Sequence, residues 1–332
     1  MRLLVAGGAG FIGANFIHLM LEEHPDYEII NLDKLTYAGN LANLKDVEAL
    51  PNYSFVKGDI ADAQIVSQAV EGVDVIVNFA AETHVDRSIH SAGAFIDTDV
   101  KGVFVLLEQA HKAGVQKVVC VSTDEVYGSI EEGAFAEDDR LNPRNPYSAS
   151  KAGGELLAGA FCHTYGTPVV VTRGSNNYGP YQYPEKLIPL FVTNAIDDMP
   201  LPLYGDGLNV RDWLHVEDHC RGIQVAIDKG EPGEVYNVGA GNQHTNIEIT
   251  RSILGHLGKS EDLIRYVNDR PGHDRRYAVD SSRIKALGWK PQKEFMQGIK
   301  ETVDWYVKNE WWWRPLRSGE YLEYYNKQYG TL

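Results

Sequence analysis

The sequence predicts an α/β protein built on a doubly wound parallel sheet, with a smaller, discontinuous second domain towards the C-terminus. Three observations carry this expectation. Short β-branched runs alternate with longer helix-like stretches, a glycine-rich turn joins the first run to the first such stretch, and turn clusters crowd the chain after about residue 175.

Taken in order, strands are expected at "RLLVA", "YEIINL", "YSFVKGD", "VDVIVNFAA", "KVVCVS" and "PVVVTR", with helices over 11–23, 62–70, 93–114 and 147–165. Buried strands separated by amphipathic helices make βαβ units and hence a parallel sheet. Beyond them, "SNNYGPYQYP", "MPLPLYGDG" and "KGEPGE" punctuate a less regular region. The segments "WLHVEDHCRGIQVAI" and "EVYNVGA" read as a helix and a strand that return to the first domain. The expected division is residues 1–175 with returning segments near 209–240, and 176–332 mainly for the second domain. The "WWW" run at 311–313 reads as packing, because an acidic chain is a poor base-stacking platform.

With 332 residues, 43% of them hydrophobic, the chain can bury a substantial core. Its net charge of −15 opposes nucleic acid and anionic membranes as general partners. No apolar run is long enough to cross a bilayer, and "MRLLVAGGAG" reads as a strand and glycine turn in place of a secretion signal. Cys120, Cys162 and Cys220 are odd in number and widely spaced, which fits reduced thiols. A soluble, cytoplasmic protein is expected. Cations in "DRPGHDRR" (Arg270, His273, Arg275, Arg276), with Lys186 and Arg211, are candidates for a local anion pocket.

Two motifs carry chemistry. In "GGAGFIG", Gly7, Gly10 and Gly13 allow a sharp strand-to-helix turn and close approach of a pyrophosphate to helix N-terminal amides. Asp33 closes the next strand 20 residues after Gly13, where an acid accepts from ribose hydroxyls and repels a 2′-phosphate. The expectation is a Rossmann-type domain that binds NAD in preference to NADP, with Asp59 and Ile60 beside the adenine. In "YSASK", Tyr147 and Lys151 share one helix face, so the ammonium can favour a tyrosinate and make the tyrosine a general base. His215 and His219 also stand four apart, but no metal is expected.

Together "GGAGFIG", "TDEVYG", "NPYSASK" and "SNNYGP" resemble the extended short-chain dehydrogenase/reductases that act on nucleotide sugars, and most closely the pattern of the dTDP-glucose 4,6-dehydratases. The resemblance extends through "AAETHVDRS", "PEKLIPL", "GDGLNVRDWLHVEDHCRGI" and "DRPGHDRRYAVD". Its specific element is the acid pair Asp124–Glu125. Relatives that only epimerise C4 lack such a pair. Departures stand at Ala6, Thr83 and Gly174, the last beside the "SNNYGP" segment.

The resemblance implies NAD as cofactor, a sugar nucleotide such as dTDP-glucose as substrate, and a homodimer joined through "GVFVLLEQAHKAG" and "SKAGGELLAGAFCHTYG". It implies catalysis by Thr123, Asp124 as acid, Glu125 as base, Tyr147 and Lys151. It extends the cofactor contacts to Phe11, Ile12, Lys34, Thr36, Ala80, Ala81 and Asn176. It gives the substrate to Thr83, Asn177, Lys186, Leu187, Tyr204, Arg211, Asn246, Arg270 and His273. Adjacent acids on a straight strand would face opposite ways, so the chain must bend after Thr123 for both to reach one sugar. The alternatives are another sugar-nucleotide dehydratase, a decarboxylase, or a catalytically silent NAD-sensing protein.

Overall fold

The computed structural model describes residues 1–330. Seven parallel strands form the central sheet: Arg2–Ala6 (β1), Glu28–Asp33 (β2), Tyr53–Lys57 (β3), Val75–Asn78 (β4), Lys117–Thr123 (β5), Val169–Gly174 (β6) and, after a long excursion, Val235–Val238 (β10). Their order is β10-β6-β5-β4-β1-β2-β3, so the direction of winding reverses beside β1 and opens a crevice at the carboxyl ends. The inner strands read as near-continuous apolar runs because helices cover both faces. One face buries Leu4, Ile76, Leu106 and Phe161, and the other buries Val5, Phe16, Val77 and Ile223.

The returning helix Val216–Lys229 packs on the second face through Val216, Cys220 and Ile223, against the same cluster as the Phe11–Glu23 helix. The chain thus leaves the sheet after β6, builds a second body, and comes back to supply β10.

That second body holds Asn176–Tyr178 (β7), Leu201–Tyr204 (β8), Val210–His215 (β9), Gln243–Thr245 (β11) and Ile264–Val267 (β12). They pair as β11-β9-β7 and β12-β8. Its core gathers Phe191, Trp213, Ile253, Val303 and Tyr306, and Trp312 and Trp313 are buried within it. Trp311 is exposed. Trp312 also ties the two bodies together: its indole N–H donates to Asn43 Oδ1 at 2.7 Å, and Asn43 Nδ2 donates to the Ala9 carbonyl in the glycine turn at 2.9 Å.

Candidate functional site

An elongated cavity runs along the carboxyl ends of β1, β2, β4, β5 and β6, from the glycine turn to the acid pair and Lys186. At its first end the backbone does most of the shaping. Gly7 sits at φ +77, and a Cβ there would lie 2.5 Å from the Ala80 amide nitrogen, so both conformation and space require glycine. Gly10 is the N-cap of the Phe11–Glu23 helix and contributes no side-chain cap bond, which leaves first-turn amides free for an anion. Asp33 is fixed by two backbone donors, Ala9 N–H at 3.0 Å and Leu35 N–H at 2.8 Å. Lys34 spends its ammonium on Asp59 and the Thr98 hydroxyl, both at 3.3 Å, so its charge is already balanced beside Asp33. Phe11, Ile12, Gly13, Thr36, Ile60, Ala80 and Ala81 complete this wall. Free amides, a close-approach turn and a fixed strand-end acid fit the adenosine and pyrophosphate of a dinucleotide.

The acid pair lies where β5 ends. The chain turns into a single 3₁₀ turn, Asp124–Tyr127, whose cap is the Thr123 hydroxyl accepting from Glu125 N–H at 3.3 Å. This turn replaces strand alternation, and Asp124 and Glu125 line the same cavity. Asp124 Oδ2 and Glu125 Oε2 are buried without a protein partner among the described residues. Desolvation, with the charges of Glu125 and Asp212, holds the Asp124 carboxyl well above the usual carboxylate range. Desolvation raises Glu125 too, but Arg270, Lys186 and Arg211 oppose it. Glu125 is therefore the easier of the two to ionise, and Asp124 keeps its proton.

Tyr147 and Lys151 reach the cavity from the Pro146–Tyr165 helix, whose start is fixed by a capping box between Asn145 and Ser148. The expected lowering of the tyrosine pKa is absent from this arrangement. Burial and the nearby Glu125 and Asp99 push the phenol well above its ordinary value, and Lys151 Nζ donates to the Val121 carbonyl at 2.8 Å.

Beyond the acids Lys186 is the cation that lines the cavity, while Arg270 and Tyr204 line a neighbouring pocket with Asp86, and the charges of Arg270 and Arg211 reach Glu125. Lys186 Nζ donates to the Thr83 carbonyl at 2.6 Å, Arg270 pairs with Asp86 at 3.0 Å, and Tyr204 donates to the other Asp86 oxygen at 3.1 Å. Arg211 lies against the Tyr277 ring and donates to the Asp274 carbonyl at 2.9 Å. His273 meets Asp269 and packs edge-on to Tyr204, while the Asn246 Oδ1 is buried without a partner. Arg275 and Arg276 do not join this pocket: they turn outward to Asp206 and Gln243. Leu187 packs its side chain on the apolar cluster of the second body, and its first-turn amide is the group left to face a ligand.

Asn176 and Asn177 both line the cavity, but the Asn177 side chain is taken up by Ser175 and His219. His215 and His219 take separate partners, the former accepting from Glu217 N–H. Sequence reasoning missed Thr98, Glu82, Ser175, Gln182, Glu185 and His219, which also line the cavity. Thr98 is brought there by a π-helical segment, Ile96–Gly102, a device with no sequence signature of its own. The sequence signal for His219 is Gly174, the departure before "SNNYGP", which makes room for its ring.

A dinucleotide-type sheet whose one cavity joins a glycine turn, a Tyr–Lys pair and two carboxyls defines an extended short-chain dehydrogenase/reductase. Within that class, residues 4–302 match the family described as GDP-mannose 4,6 dehydratase, and the chain belongs to it. It is 52% identical over 323 residues to a dTDP-glucose 4,6-dehydratase of Streptomyces niveus, covering 96% of each chain. A dTDP-glucose 4,6-dehydratase from Streptomyces venezuelae, solved with NAD and the ligand TYD bound, superposes with a TM-score of 0.93 at 54% identity, over 95% of this chain and 100% of that one. The Bacillus anthracis dTDP-glucose 4,6-dehydratase in complex with NAD gives 0.90 at 53% identity, over 95% and 99%.

Proposed function

We propose that this protein is an NAD-dependent hydro-lyase that converts dTDP-glucose to dTDP-4-keto-6-deoxyglucose. The observation that carries the reading is the acid pair, two carboxyls of unequal acidity in one cavity with Tyr147 and a dinucleotide wall. The similarity to dehydratases named for dTDP-glucose supports the choice of substrate. The larger body holds the cofactor and the second body the sugar nucleotide.

Held by the glycine turn and Asp33, NAD⁺ would supply hydride-transfer chemistry at C4 and C6, and its positive ring charge would favour the tyrosinate. Tyr147 takes the C4 hydroxyl proton, with Thr123 holding the sugar and the Lys151 ammonium adding to the positive field. The C4 ketone makes C5–H acidic. Glu125 takes that proton; as the C5=C6 bond forms, the C6–O bond breaks and Asp124 gives its proton to the leaving hydroxyl, which departs as water. Glu125 then returns its proton to C5. Arg211, Arg270 and Lys186 suit the diphosphate, since guanidinium donors grip phosphate oxygens in pairs. Asn176, which lines the cavity, and Tyr204, which lines the neighbouring pocket, are assigned to the same ligand, as are His273 and Asn246.

Separate incubation of the purified protein with dTDP-glucose, UDP-glucose, GDP-mannose and UDP-glucuronate, followed by product mass, tests this. Loss of 18 mass units (~one water) from dTDP-glucose is the expected outcome. Loss of carbon dioxide from UDP-glucuronate would replace the reading with a decarboxylase, and inactivity on all four with a silent NAD-sensing protein.

The chain is expected to work as a homodimer. Ile96, Phe104 and Leu156 are exposed apolar residues on or beside the Val103–Ala113 and Pro146–Tyr165 helices, which supports a second copy covering them. Light scattering over a concentration series should give twice the chain mass, and a constant monomer mass would remove the dimer. No described helix is long and apolar enough to cross a membrane, and the three cysteines are free, which supports a cytoplasmic setting.

A further inference from the structure

His219 belongs to the reading of this cavity as an NAD site in a way that sequence spacing does not show. It lies on the returning helix Val216–Lys229, is 1% exposed, and lines the cavity beside Gly174, Ser175 and Asn176. A Cβ at residue 174 would stand 2.6 Å from its Cε1 and 2.7 Å from its Nε2, so glycine at the end of β6 is what admits the ring.

The protonation of that ring follows from its neighbours. Asn177 Nδ2 donates to the Ser175 carbonyl at 2.8 Å, which fixes the amide with Oδ1 towards His219. Oδ1 can only accept, so His219 Nδ1, at 3.0 Å, carries the proton. Nε2 is then a bare acceptor. It is buried with no protein partner among the described residues, and burial pulls the imidazole down to about 4, so it stays neutral at physiological pH. A buried acceptor left without a donor is costly, and this one borders a cavity built for a ligand. The nicotinamide end carries a carboxamide N–H₂, which supplies the matching donor.

We infer that His219 Nε2 accepts a hydrogen bond from the nicotinamide carboxamide of bound NAD and thereby sets the rotation of the ring, with Asn177 as the residue that fixes the histidine tautomer. The rest of the dinucleotide is held by the glycine turn and Asp33, so His219 acts on one end of the ligand alone.

Three probes separate that end from the rest: NAD, acetylpyridine adenine dinucleotide, whose acetyl group has no N–H, and ADP-ribose, which lacks the pyridine ring. Equilibrium binding to wild type and to His219→Phe should show NAD affinity falling about tenfold in the variant, the scale of one hydrogen bond to a buried acceptor. The other two ligands should bind both proteins alike. His219→Gln, which keeps an acceptor, should recover part of the NAD affinity. In wild-type protein labelled with ¹⁵N-histidine, the Nε2 resonance of His219 should move upfield with NAD and stay in place with ADP-ribose, a readout that needs no variant to fold.

Equal losses for all three probes, or an Nε2 resonance that ignores the pyridine ring, would overturn the inference and leave His219 as a packing residue. Failure of the wild type to bind ADP-ribose would instead remove the reading of the cavity as an NAD site, so the two failures are told apart.

Discussion

The two ends of the cavity are built from different materials. At the cofactor end, backbone makes the fit: Gly7, Gly10 and Gly13 fall within seven residues, and the carboxylate of Asp33 is locked by two amides. At the substrate end, the work falls to long cations drawn from three distant segments, and Lys186, Arg211 and Arg270 each already hold a protein acceptor. The first end is pre-ordered, because a backbone turn has no side-chain rotamers left to lose. The second is a balance of charges, and Glu125 sits inside that balance. The comparison teaches that binding and reaction are set by separable parts: the glycine end sets which cofactor enters, and the cations decide which carboxyl ionises.

The largest effect should come from the acid pair, where the charge balance is read out as chemistry. Glu125→Gln removes the proton acceptor and leaves the glycine wall untouched, so turnover of dTDP-glucose should fall by about 10²–10⁴-fold, as for other positioned bases. Asp124→Asn should also block dehydration, but with Glu125 intact it should still exchange the C5 proton. In deuterated water, the ketone trapped from the Asp124 variant should carry deuterium at C5, and that from the Glu125 variant should not. Equal exchange by both variants would break the division, leaving the pair as a shared electrostatic device.

Stability provides a second readout of the same balance. A carboxyl whose folded pKa is raised contributes stability fully below its unfolded value, near pH ~4, and loses it as pH rises towards the folded value. Asp124 is such a group. Asp124→Asn escapes that loss, so its melting temperature relative to wild type should rise as pH goes from about 5 to 8. A difference that is flat with pH would mean Asp124 is not held protonated by the fold.

The contrast between the ends also explains what the sequence made legible. The parallel sheet, the glycine turn and Asp33 are local features with fixed spacing, whereas strand ends shifted by two or three residues, as at Tyr53–Lys57 and Val75–Asn78. The return of Val235–Val238 to the sheet was legible because the run is short, apolar and bounded by turns. The bend after Thr123 followed once the family resemblance placed both acids at one sugar, since neighbours on a straight strand face opposite ways. Thr98 was hidden because a π-helical segment has no periodic signature, and the outward turn of Arg275 and Arg276 was hidden because a cluster of cations does not reveal which surface partners, here Asp206 and Gln243, each will meet. Tyr147 is the instructive case. The i, i+4 spacing to Lys151 was read correctly as one helix face, yet burial and two carboxylates, contributed by other parts of the chain, outweigh that single ammonium.

The smaller effect belongs to the cofactor end and tests whether it is as separable as its construction suggests. Asp33→Ser removes one negative charge and the acceptors for ribose, so NAD affinity should fall about tenfold, the scale of charge-assisted hydrogen bonds, while discrimination against NADP relaxes. Asp33 also anchors Ala9 and Leu35, so the serine variant alone would confuse charge with turn geometry. Asp33→Asn keeps one of the two backbone acceptors, so it loses the charge and one of the bonds from Ala9 and Leu35 but holds the turn better than serine. If repulsion of a 2′-phosphate is the selective element, the asparagine variant should accept NADP nearly as well as the serine variant while losing less NAD affinity. Both variants should leave the affinity for dTDP unchanged, because Lys186, Arg211 and Arg270 share no partner with Asp33. Equilibrium binding of the two cofactors and of dTDP measures all three quantities. Wild-type protein that carries NADP in place of NAD would sink the role given to Asp33, and a parallel loss of dTDP affinity would show that the Trp312–Asn43–Ala9 link transmits changes at the glycine turn into the second body.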